Sequence, residues 1–178
     1  NPNLKKVGTE IQFTKDQIQE YLKCKEDPVY FAMTYIKIIS LDEGIVPFKM
    51  WDFQQELIES FHENRFNIAK LPRQTGKSTT CVSYLLHYIL FNDNVNVGIL
   101  ANKLSTARDL LGRLQLAYEQ LPMWLQQGIV VYNKGSMELE NGSKILAAST
   151  SASAVRGMSF NIIFLDEFAF IPNHIAEQ

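Results

Sequence analysis

The stretch Leu71-Pro72-Arg73-Gln74-Thr75-Gly76-Lys77-Ser78-Thr79 constrains this chain more than any other. A short apolar run, Phe66 to Leu71, precedes it, and an apolar-periodic segment, Thr79 to Phe91, follows it. That order predicts strand, loop and helix. The loop ends in Gly76-Lys77-Ser78, the tail of a phosphate-binding loop. Backbone N–H groups at a helix start converge on one spot, and the helix dipole adds partial positive charge there. Gly76 lets the backbone approach a phosphate with no Cβ in the way. Lys77 can reach the β- and γ-phosphates of ATP, and the Ser78 hydroxyl can hold Mg²⁺. Gln74, Thr75 and Thr79 complete the loop residues around such a ligand. The full pattern asks for glycine five residues before Gly76, where this chain has Leu71. An ordinary strand–turn–helix with an exposed lysine is therefore the competing reading.

A second stretch, Asn161-Ile162-Ile163-Phe164-Leu165-Asp166-Glu167, is an apolar run ending in two acids. Continuous apolar character suits a strand buried on both faces of a parallel sheet. Ligands of such sheets sit beyond the carboxyl ends of the strands. Asp166 would then face the metal and Glu167 the attacking water. Two acids after a strand can also form a solvated turn. The loop and the acid pair, in this order, point together to nucleotide binding.

The chain has 178 residues, net charge −2 and pI about 5.9, the material of one domain with a sizeable core. This balance does not demand a nucleic-acid partner and leaves room for a local basic surface. Cys24 and Cys81 lie in different helical segments, and His62, His87 and His174 are scattered. Neither set has metal-ligand spacing, and the cysteine usage fits a reducing cytoplasm. No apolar run has membrane-spanning length, and no signal peptide is evident. The chain opens on Asn1, and Gln178 follows soon after Asp166, so a piece of something longer is expected.

Residues 1–48 read as a helical lead-in, and 49–178 as a nucleotide-binding core. Thr14 with Gln17 makes a capping box for a helix from about Lys15 to Lys25. Asp27-Pro28 opens another helix, which carries Phe31, Tyr35 and Ile38 on one face. Trp51 to Ile58 begins an amphipathic helix reaching about Glu63. Its Phe53 and Gln54 could serve adenine, since a carboxamide can pair with the base edge and a ring can cover its face. A helix that packs Phe53 and solvates Gln54 is the simpler reading. Further on, strands are expected at Val95–Ala101, Ile129–Tyr132, Met137–Glu140 and Ser143–Ala148. A helix from Ser105 to about Leu121 lies among them, with Arg108 and Arg113 on a solvated face. Asn141-Gly142 is a two-residue hairpin signal.

Six stretches taken together carry a family resemblance. They are Trp-Asp-Phe-Gln, Leu-Pro-Arg-Gln-Thr-Gly-Lys-Ser, Val-Gly-Ile-Leu-Ala-Asn-Lys, Leu-Glu-Asn-Gly-Ser, Ala-Val-Arg-Gly-Met-Ser-Phe and Phe-Leu-Asp-Glu-Phe-Ala-Phe-Ile-Pro-Asn. In this order, from about residue 45 to 176, they resemble the large terminase subunit of tailed bacteriophages, most nearly the myovirus type.

The resemblance implies a P-loop NTPase fold of the ASCE type, a mostly parallel central sheet flanked by helices. It implies an ATPase motor that drives double-stranded DNA into a procapsid, with ATP and Mg²⁺ at its site. The family's deviant loop often lacks the first glycine. Arg73 matches the arginine inside that loop, Phe53 and Gln54 its adenine motif, and Asp166 and Glu167 its metal-binding acid and catalytic glutamate. Arg156 lies where related motors carry an arginine reaching a neighbour's ATP.

The implied partners are DNA, a portal protein, a small terminase subunit and a C-terminal nuclease domain or complementary fragment. A homo-oligomeric ring in the host cytoplasm, away from membranes, goes with them. The family's coupling motif and nuclease would lie beyond Gln178, so this chain is not expected to cut DNA. Two other functions compete. A superfamily-2-like helicase shares the aromatic–Gln, loop and acid pair, although Phe168-Ala169-Phe170 after Glu167 argues against it. An inactive ATP-binding assembly fragment is the other.

Overall fold

The structure is a computed structural model and describes residues 1–40, 42–150 and 157–167. Its first helix, α1 (Lys15–Glu26), starts at the expected capping box: Thr14 accepts from the Gln17 amide, and Gln17 accepts from the Thr14 amide. Asp27 caps α2 (Pro28–Tyr35), with Pro28 in the first turn, where a missing N–H costs nothing. The lead-in is not wholly helical. Strands β1 (Lys37–Ser40) and β2 (Gly44–Pro47) form an antiparallel hairpin before α3 (Asp52–Glu63). Its strands are four residues each, too short for periodicity to separate from a loop.

Helix α4 (Lys77–Phe91) follows the Gly76 turn, and eleven of its fifteen residues are buried. Apolar character nearly all round marks a helix enclosed on every side. It packs against α2, α3 and α5 (Leu104–Glu119). Its Leu86, Ile89 and Leu90 share one core with Phe31 and Ile36 of the lead-in and with Leu111 and Leu114 of α5. Helix α5 begins one residue before the expected cap, with Ser105 inside its first turn and Lys103 at the N-cap.

Strands β3 (Asn96–Ala101), β4 (Ile129–Tyr132), β5 (Ser136–Leu139), β6 (Lys144–Ser149) and β7 (Ile162–Asp166) form one five-stranded sheet, ordered β4-β5-β6-β3-β7. The sheet is mixed. Strands β6, β3 and β7 run parallel, and β4 and β5 are added antiparallel through the hairpin at Asn141-Gly142. Gly142 has φ +79°, the left-handed conformation for which that dipeptide is suited. No helix among the described residues is long and apolar enough to cross a membrane.

Two sequence expectations need correction. Residues 66–71 form no strand and pair with nothing in the sheet. Phe66 and Ile68 are 82% and 100% exposed. Apolar, β-prone residues make a strand only beside a hydrogen-bonding neighbour, and the described residues provide none there. Strand β7 is likewise not buried on both faces. It pairs with β3 alone among the described strands, and Ile163 and Leu165 remain exposed.

His87 ties α4 to the lead-in. Pro28 has no N–H to give the Cys24 carbonyl, four residues earlier in the chain, and His87 Nε2 donates to it instead at 2.8 Å. The ring is 3% exposed, and its Nδ1 has no partner within hydrogen-bond geometry among the described residues. Burial pushes the imidazole pKa down to about 4, against the opposing pull of the Cys24 hydrogen bond. The fold thus favours the neutral ring. Its contribution is complete above the unfolded value of about 6.5 and is lost as pH falls through 4, a change on the order of 3 kcal/mol. The thermal midpoint should therefore drop between pH 6.5 and 4. His87→Leu should flatten that part of the profile and lower stability at pH 7 by about 1–3 kcal/mol, through the orphaned carbonyl. Calorimetry across this pH range measures both effects.

Candidate functional site

The parallel strands end together. In register, Ala101 of β3 lies opposite Ser149 of β6 and Asp166 of β7, so Asp166 stands at the carboxyl edge of the sheet. Glu167 follows, exposed, with φ +54°, a left-handed conformation that few non-glycine residues adopt. Facing this edge is the N-terminus of α4. Residues 72–76 turn sharply into it, with Gln74 at φ +61° and Gly76 at φ +72°. The Thr75 hydroxyl donates to the Pro72 carbonyl at 3.0 Å, closing the turn. Thr80 donates to the Gly76 carbonyl through both its amide and its hydroxyl, which secures the first helical turn.

The two stretches lie within electrostatic reach of each other. Asp166 titrates above the ordinary carboxylate range because it is partly buried and lies beside the Glu167 charge. Lys77 and Arg113 pull in the opposite direction, so both cations lie within electrostatic reach of this carboxyl. Cys81, one turn into α4, reports the same neighbourhood. Burial and then Asp166 push its thiol up to about 12, while Lys77 lowers it. Lys77 and Asp166, far apart in the chain, thus share one site. Ser78 and Thr79 are half-buried in the first turn of α4, and Arg73 and Gln74 are exposed on the turn.

The aromatic–Gln pair of α3 also reaches this turn, in an unexpected role. Gln54 is 3% exposed, so it is not solvated. Its Oε1 accepts the Trp51 amide at 3.0 Å, and its Nε2 donates to the Thr75 carbonyl at 2.9 Å. A Cβ on Gly76 would lie 2.6 Å from that Nε2. Gly76 is therefore required by its φ and by the Gln54 carboxamide against it. Phe53 is half-buried, with Trp51 beside it at 5.6 Å between ring centroids and 60% exposed.

Sequence reasoning missed two of these features. A glutamine at the third helical position can reach back to the N-cap amide, and that pattern was readable at Trp51–Gln54. Arg113 had no such signal, since its sequence context is an ordinary exposed helix face. Arg156 lies outside the described residues.

A mixed α/β sheet with its helices so arranged is a known architecture. The fold is similar to the crystal structure of the HK97 bacteriophage large terminase, with TM-score 0.68 and 16% identity, covering 86% of this chain and 34% of that one. In sequence, the chain is 22% identical over 131 residues to tripartite terminase subunit 3 of Equine herpesvirus 2 (strain 86/87). That match covers 70% of this chain and 18% of the herpesvirus protein. The family model for the N-terminal part of the terminase large subunit, T4-like-virus type, matches residues 68–178. This chain belongs to that family. It spans a minor part of the length of both relatives.

The convergence of Lys77, Asp166 and Glu167 can be tested directly. Neutralising Glu167 with Glu167→Gln should move the Asp166 titration down, towards the ordinary range, because a like charge has been removed. Lys77→Met should move it further up. Carboxyl-carbon NMR titration of the three proteins reads both shifts, and no shift in either variant would mean that the groups are not neighbours.

Proposed function

We propose that this chain is the ATPase part of a DNA-packaging motor, hydrolysing ATP to translocate double-stranded DNA into a procapsid. The observation that carries the reading is the placement of Asp166 at the carboxyl edge of a parallel strand, with Lys77, at the start of a buried helix, within electrostatic reach of it. Membership in the terminase large subunit family supports it. On this reading residues 72–79 are a phosphate loop and the fold is a P-loop NTPase of the ASCE type.

The donor set fits ATP with Mg²⁺. A crowded acid pair, only partly offset by Lys77 and Arg113, suits a divalent cation. The Ser78 hydroxyl and the Asp166 carboxylate are the oxygen donors that would hold it. Mg²⁺ held there would supply positive charge to offset that of the triphosphate. Free N–H groups at the α4 N-terminus and the Lys77 ammonium bind the phosphate oxygens. Glu167 orients a water against the γ-phosphorus and takes its proton. The new P–O bond forms as the bond to the ADP oxygen breaks, and Arg73 and Lys77 offset the charge that develops. Arg156 serves the ATP of a neighbouring subunit in a ring. The herpesvirus relative is named as one subunit of a tripartite terminase. We extend the idea of assembly to this chain, with a small terminase subunit, a portal protein and a nuclease domain or complementary fragment as its partners in the host cytoplasm.

Lys77→Ala should abolish binding of a non-hydrolysable ATP analogue in calorimetry while the circular dichroism spectrum is unchanged. Equal affinity in the variant would remove the phosphate-loop assignment. In a full-length context, Glu167→Gln should keep ATP affinity within a few-fold and lower turnover by roughly 10³-fold or more, as expected when the group that positions the attacking water is lost. A parallel fall in affinity and turnover would make Glu167 a ligand and not the base.

A further inference from the structure

Gln54 does something that adenine recognition leaves unexplained. Both ends of its carboxamide are engaged, Oε1 by the Trp51 amide at 3.0 Å and Nε2 by the Thr75 carbonyl at 2.9 Å. The residue is 3% exposed, so no part of the carboxamide is offered to a ligand in this state. Pairing with a base edge would require it to leave both partners. Its contact with the turn is specific in direction. A trans peptide is planar, and its N–H points opposite to its C=O. Fixing the Thr75 carbonyl towards α3 therefore fixes the Gly76 N–H away from α3. Gly76, at φ +72°, has its Cα face against the same Nε2, where a Cβ would lie at 2.6 Å. The carboxamide thus holds both the orientation of the 75–76 peptide and the space beside it.

We propose that Gln54 is a positioning residue for the phosphate loop: it sets the aim of the Gly76 N–H from the start of α3 and does not read the base. The inference rests on the ATP-hydrolysis reading above. It assigns Gln54 to the triphosphate, whatever base the nucleotide carries. The loop has two left-handed residues, Gln74 and Gly76, in a short span. The Thr75 hydroxyl ties the turn to Pro72, and the external hydrogen bond from a buried carboxamide adds a restraint on the 75–76 peptide itself. Trp51 and Phe53 lie tilted against each other at the same end of α3, with 5.6 Å between ring centroids.

The test uses calorimetric titration of ATP, GTP and inorganic tripolyphosphate, with Mg²⁺, into the wild-type chain and two variants. Gln54→Glu keeps an acceptor for the Trp51 amide and replaces the donor with an oxygen facing the Thr75 carbonyl. Gln54→Ala removes the carboxamide and leaves the space at Gly76 open. Each should weaken all three ligands by a similar factor of about tenfold, the scale of one lost hydrogen bond in the bound state. Orphaning the Trp51 amide and the Thr75 carbonyl should lower the thermal midpoint, so circular dichroism at the titration temperature establishes that each variant is folded, and the equal factor across the three ligands is read on folded protein. If only ATP weakens, Gln54 reads the base and the proposal is wrong. If both folded variants bind all three ligands as well as wild type, it is also wrong. If the wild-type chain binds neither ATP nor tripolyphosphate, the nucleotide reading itself fails and takes this proposal with it.

Discussion

The structure depends on the burial of α4. A helix with eleven of fifteen residues enclosed cannot slide or rotate without opening contacts on several sides. The lead-in helices, α3 and α5 all pack on it, and the core runs through it without interruption. Its N-terminus is therefore held in place by the core. The turn before it, and Lys77 at its first residue, inherit that placement. The His87–Cys24 contact adds direction, because it joins the one carbonyl that Pro28 leaves without a helical donor to the middle of α4.

The site is a balance of charge across three elements, β7, α4 and α5. Asp166 and Glu167 sit together at the edge of the sheet, where parallel pairing with β3 delivers them. Alone, two such acids repel, and partial burial adds to the cost of ionising the first. Lys77 from α4 and Arg113 from α5 lie near enough to offset part of it. None of these groups is deeply buried, so the site can exchange its counter-charges for those of a ligand without breaking the core.

The outer side of β7 and the irregular residues 66–71 share one physical condition. Both are β-prone and apolar, and both lack a hydrogen-bonding neighbour on at least one side among the described residues. One became a strand because β3 lies beside it, with Ile163↔Gly98 and Leu165↔Leu100 in register. The other has no such neighbour, and its Ile68 is fully exposed. Their difference is a matter of pairing and not of composition.

Local chemistry was legible in the sequence wherever it is decided within a few residues. Thr14–Gln17, Asp27-Pro28 and Asn141-Gly142 mark their caps and turn because the hydrogen bonds involved span two or three positions. The Gly76-Lys77-Ser78 turn and the acid pair were readable for the same reason, and their order along the chain was enough to point to one site. Tertiary structure decided what depends on a distant partner. It left 66–71 unpaired, made β7 half-exposed and brought Arg113 within reach of Asp166. It also buried Gln54, solvated on the simpler reading of its sequence, and set its carboxamide against the Thr75 carbonyl. A carboxamide has the same donors and acceptors in every setting. Only the packing of α3 against α4 determines which groups they meet.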